Sequence, residues 1–426
     1  MNRNFFYYLS IVFIWVLYMP VVLSTYIIVW LDRKMKFLLS FPRDIIALTK
    51  AEKWCIAVLK KNNVLPADAE IKEYKVTSLN QDLIFRSNAG VIEINYYQRG
   101  ENKTLKCFAK FSPTVGSIWN RTIFNLQLNH IKETSFNRYF VCIDRNIEAP
   151  KVYYTEMSFL TGNLCLITEH MSGCMEYLEG KNGTFPSAHI TMAIEGMSTL
   201  HAHYWKNVSP RMKKVLPIEN STVLLFDSMV ASSWSIHARN VLVKSWRRMN
   251  VRETILHGDA RIGNMMFPKT ETEGHFVFID WQAVRQGKGV YDLAYFLILS
   301  LNTQFRVGIE KQCLEAYYNS LVAKGVSDYT KKKLEDDYRH ACLCVLVLLS
   351  LPLLSGEASA EGVGAKNFVW GMNVWRERME AKFAEFDYKW MANRYEMTEQ
   401  QGREAVSEML SVITQRLKRI EAAAAS

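Results

Sequence analysis

Hydrophobic and polar positions alternate with different rhythms in different parts of this chain. From Asn4 to Leu31 there is no charged residue at all. At about 1.5 Å per residue, a helix over that run spans a hydrocarbon core about 30 Å thick, so the pattern predicts an N-terminal transmembrane helix. Tyr7, Tyr8, Tyr26 and Trp30 fall near its ends, where amphipathic rings sit at the membrane interface. A cleaved signal peptide fits poorly, because the run is too long and no small-residue cleavage pattern follows it. Burial as a core helix would need more protein cover than a chain terminus usually finds. Pro20 leaves room for a kink or a re-entrant hairpin. Arg33, Lys34, Lys36 and Arg43 outnumber the single upstream Arg3, which puts the bulk of the chain on the cytoplasmic face of a single-pass membrane protein.

Beyond this segment the periods change. Residues 44–62 carry a broad apolar helical face (Ile45, Leu48, Ile56, Leu59). Val76–Ile84, Val91–Tyr97 and Thr104–Phe111 then read as strands, separated by turns at Ser87–Gly90 and Gln98–Asn102. A helix around Trp119–Arg138 and strands at Lys151–Met157 and Leu164–Glu169 follow. From Ser187 helices dominate, interrupted by a strand-like island at Asn264–Phe267 and His275–Asp280. Ala341–Ser355 is uncharged but too short to span a membrane, and reads as a buried helix. The expected organisation is an anchor with a basic flank (1–36), a β-rich lobe (44–168) and a larger helical lobe (169–426), an α+β chain.

Composition narrows this only a little. The 426 residues carry 52 basic and 42 acidic side chains, a net +10 spread along the chain, with no basic-aromatic cluster that would point to nucleic acid. Eight cysteines at irregular spacing contain no C-x-x-C pair, which argues against a zinc ribbon or a disulfide framework.

The chemistry concentrates between Ile255 and Gln282. His257-Gly258-Asp259 opens a loop, Asn264 follows five residues after Asp259 and runs into an apolar strand, and a second strand ends in Asp280. Hard oxygen ligands at a loop and a strand end suit Mg2+ bound to polyphosphate, and Asp259 beside them can accept or orient the proton of an attacking hydroxyl.

This H-G-D-x-x-x-x-N arrangement, with I-D-W-Q after it, resembles the aminoglycoside phosphotransferase and choline kinase branch of the protein-kinase-like phosphotransferases, most closely the ecdysteroid-kinase-like (CHK kinase-like) families. Leu200–Trp205 and Tyr291–Leu297 (Y-D-L-A-Y-F-L) resemble two helices of that branch, and Ala149–Tyr154 one of its strands. The resemblance implies a bilobal protein-kinase-like fold and an ATP- and Mg2+-dependent transfer of the γ-phosphoryl group to a small-molecule alcohol. It assigns Asp259 as the catalytic residue, Asn264 and Asp280 as Mg2+ ligands, and Lys110 with Glu133 as the nucleotide-phosphate lysine and its helix partner. Thr168, Glu169 and Met171 would be the hinge that faces the adenine, while His257 and Asp292 would support the loop. Two departures bear on the acceptor. Gly258 stands where many protein kinases carry an arginine, and only eleven residues separate Asp280 from Asp292, too few for a peptide platform. A third departure, the single Gly90 in the phosphate-covering turn, keeps open an alternative: a catalytically weak or inactive kinase-like binding protein at a membrane.

Overall fold

The computed structural model describes residues 19–32, 39–79, 88–112, 129–142, 147–158, 161–177, 183–216, 234–270, 274–356 and 363–425. These form two compact units. One comprises Met1–Gln81, Arg86–Thr134 and Tyr153–Ile167; the other Asp82–Phe85, Ser135–Val152 and Thr168–Ser426. The mixed helix and strand content is the expected α+β class.

The first unit is built on a five-stranded sheet. Its strands are β1 (Glu70–Ser78), β2 (Asn88–Gln98), β3 (Glu101–Phe111), β4 (Val152–Met157) and β5 (Leu164–Glu169), in the order β1-β2-β3-β5-β4. β1, β2 and β3 pair antiparallel. Gln98 pairs with Glu101, so the β2–β3 turn is only Arg99-Gly100, both at positive φ (50° and 85°). That is the turn whose twist matches the strands it joins. Alternation along β3 sends Cys107, Ala109 and Phe111 into an apolar layer with Ile92, Ile94, Cys165 and Ile167. Two short helices, Ile45–Thr49 and Glu52–Lys61, contribute Ile45, Leu48, Cys55 and Leu59 to the same layer.

Gly90, expected in a turn, lies inside β2 opposite Ser78 and Ala109. A Cβ there would come within 2.5 Å of Ile45 Cδ1 and 2.7 Å of the Thr77 carbonyl. This glycine therefore lets the Ile45 helix lie on the β1–β2 pair. Asp44 caps that helix by accepting from Ala47 N, and Asn88 Oδ1 accepts from Ile45 N. Asn88 and Ala89 of the expected turn lie in β2 as well, while Ser87, with residues 80–84 of the strand expected before it, lies outside the described residues.

The second unit surrounds the helix Val290–Ser300, every residue of which is buried. Its V-Y-D-L-A-Y-F-L-I-L-S sequence is apolar on all sides apart from Asp292, as a helix enclosed by others requires. Helices Ser187–His203, Thr303–Ala323, Lys331–Gly356 and Val363–Ala384 pack around it. Ala341–Leu346 are buried, as expected of that uncharged run, and Cys342 and Cys344 pack there as free thiols. Trp375, Phe383, Phe386 and Tyr395 are buried in the core of this unit.

The expected N-terminal transmembrane helix is not supported. Among the described residues no helix is long and apolar enough to cross a membrane. The part of that segment described is the helix over residues 19–32, and residues 1–18 and 33–36 lie outside the described residues.

Candidate active site

In the second unit, β7 (Thr254–Leu256) pairs with β10 (Arg285–Gly287), and β6 (Cys174–Glu176), β8 (Met265–Pro268) and β9 (Val277–Phe278) form a three-stranded sheet. The loop from His257 to Asn264 runs between β7 and β8, so both of its ends are pinned.

Asp292 holds the start of this loop. Its Oδ2 accepts from His257 N at 2.7 Å and its Oδ1 from Gly258 N at 3.0 Å, while His201 Nε2 donates to Oδ2 at 3.2 Å. His201 is fixed in turn by a 2.8 Å contact between its Nδ1 and the Tyr317 hydroxyl. Burial works to raise the Asp292 pKa, but the His201 hydrogen bond and the nearby His201, His257 and Arg285 outweigh it, holding the carboxyl below its ordinary value. The expected supporting role of Asp292 thus has a concrete geometry, backbone donors received by a buried carboxylate.

His257 is a scaffold by its contacts. Its Nε2 donates to the Ile279 carbonyl at 2.9 Å, which leaves Nδ1 as acceptor toward Asp259 N at 3.3 Å. Gly258 has φ +84°, and a Cβ there would lie 2.1 Å from the Ala283 carbonyl and 2.6 Å from Arg285 Nη1. Arginine at this position is excluded on steric grounds. The buried Arg285 donates to the Gly258 carbonyl instead and stacks on Tyr291.

The Asp259 carboxylate accepts from Asn264 Nδ2 at 2.8 Å and pairs with Arg261 Nε at 3.2 Å. Asn264 Nδ2 also donates to the Asp259 carbonyl, so the five-residue spacing closes into a ring and turns the amide's Oδ1 the other way. The Asn264 carbonyl accepts from Ile279 N at 2.9 Å, and Met265 pairs with Phe278. The β8–β9 hairpin therefore brings Asn264 beside Asp280, sixteen positions later in the chain. Asp280 is half-buried at the left-handed φ of 64°, and the buried Trp281 after it packs, with tilted rings, between His257 and Phe136 at centroid distances of 4.6 and 4.7 Å. Two oxygen-donor side chains are what Mg2+ uses when phosphate and water complete its shell. Among the described residues there is no group of three His, Cys, Asp or Glu that could hold a metal on its own.

Sequence reasoning missed Arg261 and Tyr295. Arg261 stands two residues after Asp259 without any pattern to single it out, and its guanidinium lies 5.9 Å from the Trp375 ring. Tyr295 was noted only as part of an apolar helix. Burial, then the Asp259 charge, pushes its hydroxyl pKa up, so it stays a proton donor beside that carboxylate.

Thr168 and Glu169 end β5, and Met171 lies in the turn toward β6. Glu169 N donates to the Lys151 carbonyl, Thr168 Oγ1 to the Glu169 carbonyl, and Cys174 N to the Met171 carbonyl. In the first unit, Lys110 Nζ meets Glu133 Oε1 at 2.7 Å, both buried. Lys110 points to the sheet face opposite Ala109 and Phe111, and Glu133 comes from the helix Asn129–Phe136.

The buried lysine–glutamate pair lies in the first unit and the Asp–Asn–Asp loop in the second. Residues 188–326 match the model of the ecdysteroid kinase-like family, which bears out the resemblance read from the motifs. No curated protein matches the chain. Among solved structures, a Plasmodium vivax ethanolamine kinase is 14% identical, with 77% of this chain and 87% of that one covered at a TM-score of 0.48. The GDP complex of aminoglycoside 2'-phosphotransferase-IIIa is 14% identical, covering 77% and 98% at 0.44. A microcompartment-associated aminopropanol kinase is 12% identical, covering 78% and 98% at 0.39.

Proposed function

We propose that the chain transfers the γ-phosphoryl group of ATP to a hydroxyl of a small molecule. The observation that carries this reading is the Asp292-held loop, which sets the Asp259 carboxylate, ties it to Asn264 and brings Asn264 beside Asp280. In this reading Asp259 orients the acceptor hydroxyl and receives its proton. Asn264 and Asp280 hold Mg2+, which neutralises charge on the phosphates when bound. Lys110, kept in place by Glu133, binds nucleotide phosphate, and the Thr168–Met171 backbone faces the adenine. A small acceptor is supported by the interval after Asp280, where a short turn at Trp281–Ala283 and β10 take up the chain before the helix at Val290. No segment remains there for laying out a peptide.

The test is ADP release by the purified protein with Mg-ATP and a panel of alcohols. Asp280→Ala should abolish turnover. Asp259→Asn should lower it by about 10²–10⁴-fold while leaving Mg-ATP binding nearly intact. Wild-type turnover in both variants would refute the assignment, as would Asp259-dependent phosphorylation of a protein substrate.

Use of cytosolic ATP also requires a cytoplasmic active site. The five N-x-S/T sequons at Asn102, Asn120, Asn182, Asn207 and Asn220 should then stay unmodified in a eukaryotic host. An endoglycosidase-induced mobility shift would oppose this placement.

A further inference from the structure

The helix over residues 19–32 is seated on the first unit by one side only. Val29 and Asp32 are buried, at 2% and 4% exposure. The Asp32 carboxylate accepts from Arg43 Nη2 at 2.7 Å and from Asn163 Nδ2 at 3.2 Å, and Arg43 Nη1 donates to the Asp32 carbonyl at 3.0 Å. A buried carboxylate held by an arginine and an amide from distant parts of the chain is a clasp rather than a passing surface contact. Removing one partner of such a pair leaves the other charge buried and uncompensated.

The other side of the same helix is apolar and uncovered. Met19, Leu23, Tyr26, Ile27 and Trp30 recur at helical spacing and are each exposed by more than a third. Five large apolar side chains in one uncharged stripe are more than the scattered exposed residues of an ordinary surface. A protein partner would normally leave a polar or charged rim, whereas no charged residue occurs anywhere from Asn4 to Leu31. The stripe also leads directly into the uncharged residues 4–18 on its N-terminal side, and it carries the Tyr and Trp rings that favour the headgroup level.

We propose that a lipid bilayer covers this stripe, and that the Asp32 clasp seats the first unit directly against the bilayer instead of on a loose tether. This inference does not depend on the phosphotransfer reading and asks for no helix that spans the bilayer.

Flotation of the full chain with neutral phosphatidylcholine vesicles tests it. The wild type should float equally at low and high salt, since the stripe holds no charge. The combination Leu23→Glu, Ile27→Glu and Trp30→Glu should cut the floated fraction by at least about tenfold, as each change withdraws a large apolar side chain from lipid and puts a charge in its place. Its thermal midpoint should be unchanged, because those side chains are exposed. Asp32→Ala should float like the wild type yet release a soluble unit faster under trypsin. Undiminished flotation of the triple variant would overturn the stripe as the lipid face. A wild type that stays off vesicles, whether as a monomer or as a dimer dissolved by the triple variant, would overturn the bilayer as occupant. Equal trypsin release from Asp32→Ala and the wild type would overturn the clasp.

Discussion

Each unit of this protein buries a carboxylate next to its proposed chemistry, and the two are held in different ways. Asp292 receives two backbone N–H groups and a histidine ring. Glu133 meets the full charge of Lys110, side chain to side chain. A carboxylate that accepts from backbone sets the path of the chain itself. One that pairs with a lysine sets a side-chain position and leaves the backbone to the sheet and helix. The first should therefore be needed for the fold, and the second for the function on top of a fold that can exist without it.

The largest effect expected from this contrast is at Asp292. Asp292→Ala removes charge-assisted bonds worth about 1.5–3 kcal/mol each and leaves two buried N–H groups unpaired. Destabilisation by roughly 4 kcal/mol or more should appear in denaturant unfolding, with turnover lost because the loop is no longer held. An Asp292→Ala protein as stable as the wild type would end the comparison.

Next is the Lys110–Glu133 pair. Changing one partner alone disturbs a buried charge and should destabilise by about 3–5 kcal/mol. Replacing both together, Lys110→Met with Glu133→Leu, should restore most of that stability and still show no ADP release. If the double variant turned over, the pair would be structural only.

Gly258 and Gly100 sharpen the point about backbone. Both have positive φ, but only Gly258 is crowded. Gly258→Ala should cost more than about 2 kcal/mol through overpacking added to strain, and Gly100→Ala about 1 kcal/mol from strain alone. Paired melting curves would show this order.

The smallest effect is one of pH. The Asp292 pKa is lowered in the folded state, so its contribution to stability is fully present above the unfolded carboxylate pKa of about 3.9. It is lost as pH falls through the lower folded value. The wild type should lose stability relative to Asp292→Asn on acidification below about pH 4, and parallel curves in that range would show that the carboxylate is not held as its contacts indicate.

How much of this was legible in the sequence follows from how local each signal was. Asp259 and Asn264 lie in one loop, and their five-residue spacing already contained the ring that Asn264 Nδ2 closes. Asp280 was singled out because the apolar run before it stops abruptly, but the strand ends at Phe278 and Asp280 stands two residues further on, at the start of the turn Trp281–Ala283. Gly90 was misread because its reason is not local. Among turn residues a glycine signals a turn, and only the Ile45 side chain, forty-five positions earlier, shows that this one makes room for a helix. Arg261, Tyr295 and His201 gained their meaning from what lies beside them, which spacing along the chain does not encode.

By itself the sequence determined β2 to β5, the apolar helix around Asp292 and the loop that carries Asp259, because each depends on periodicity or on neighbours a few residues away. The tertiary structure alone decided that Asp292 receives the loop's N–H groups, that Arg285 occupies the space Gly258 leaves, and that Asp32 is clasped by Arg43 and Asn163. These contacts join residues between 11 and 131 positions apart. Whether such groups meet depends on how whole elements pack, since a hydrogen bond acts over about 3 Å and no short-range pattern specifies it.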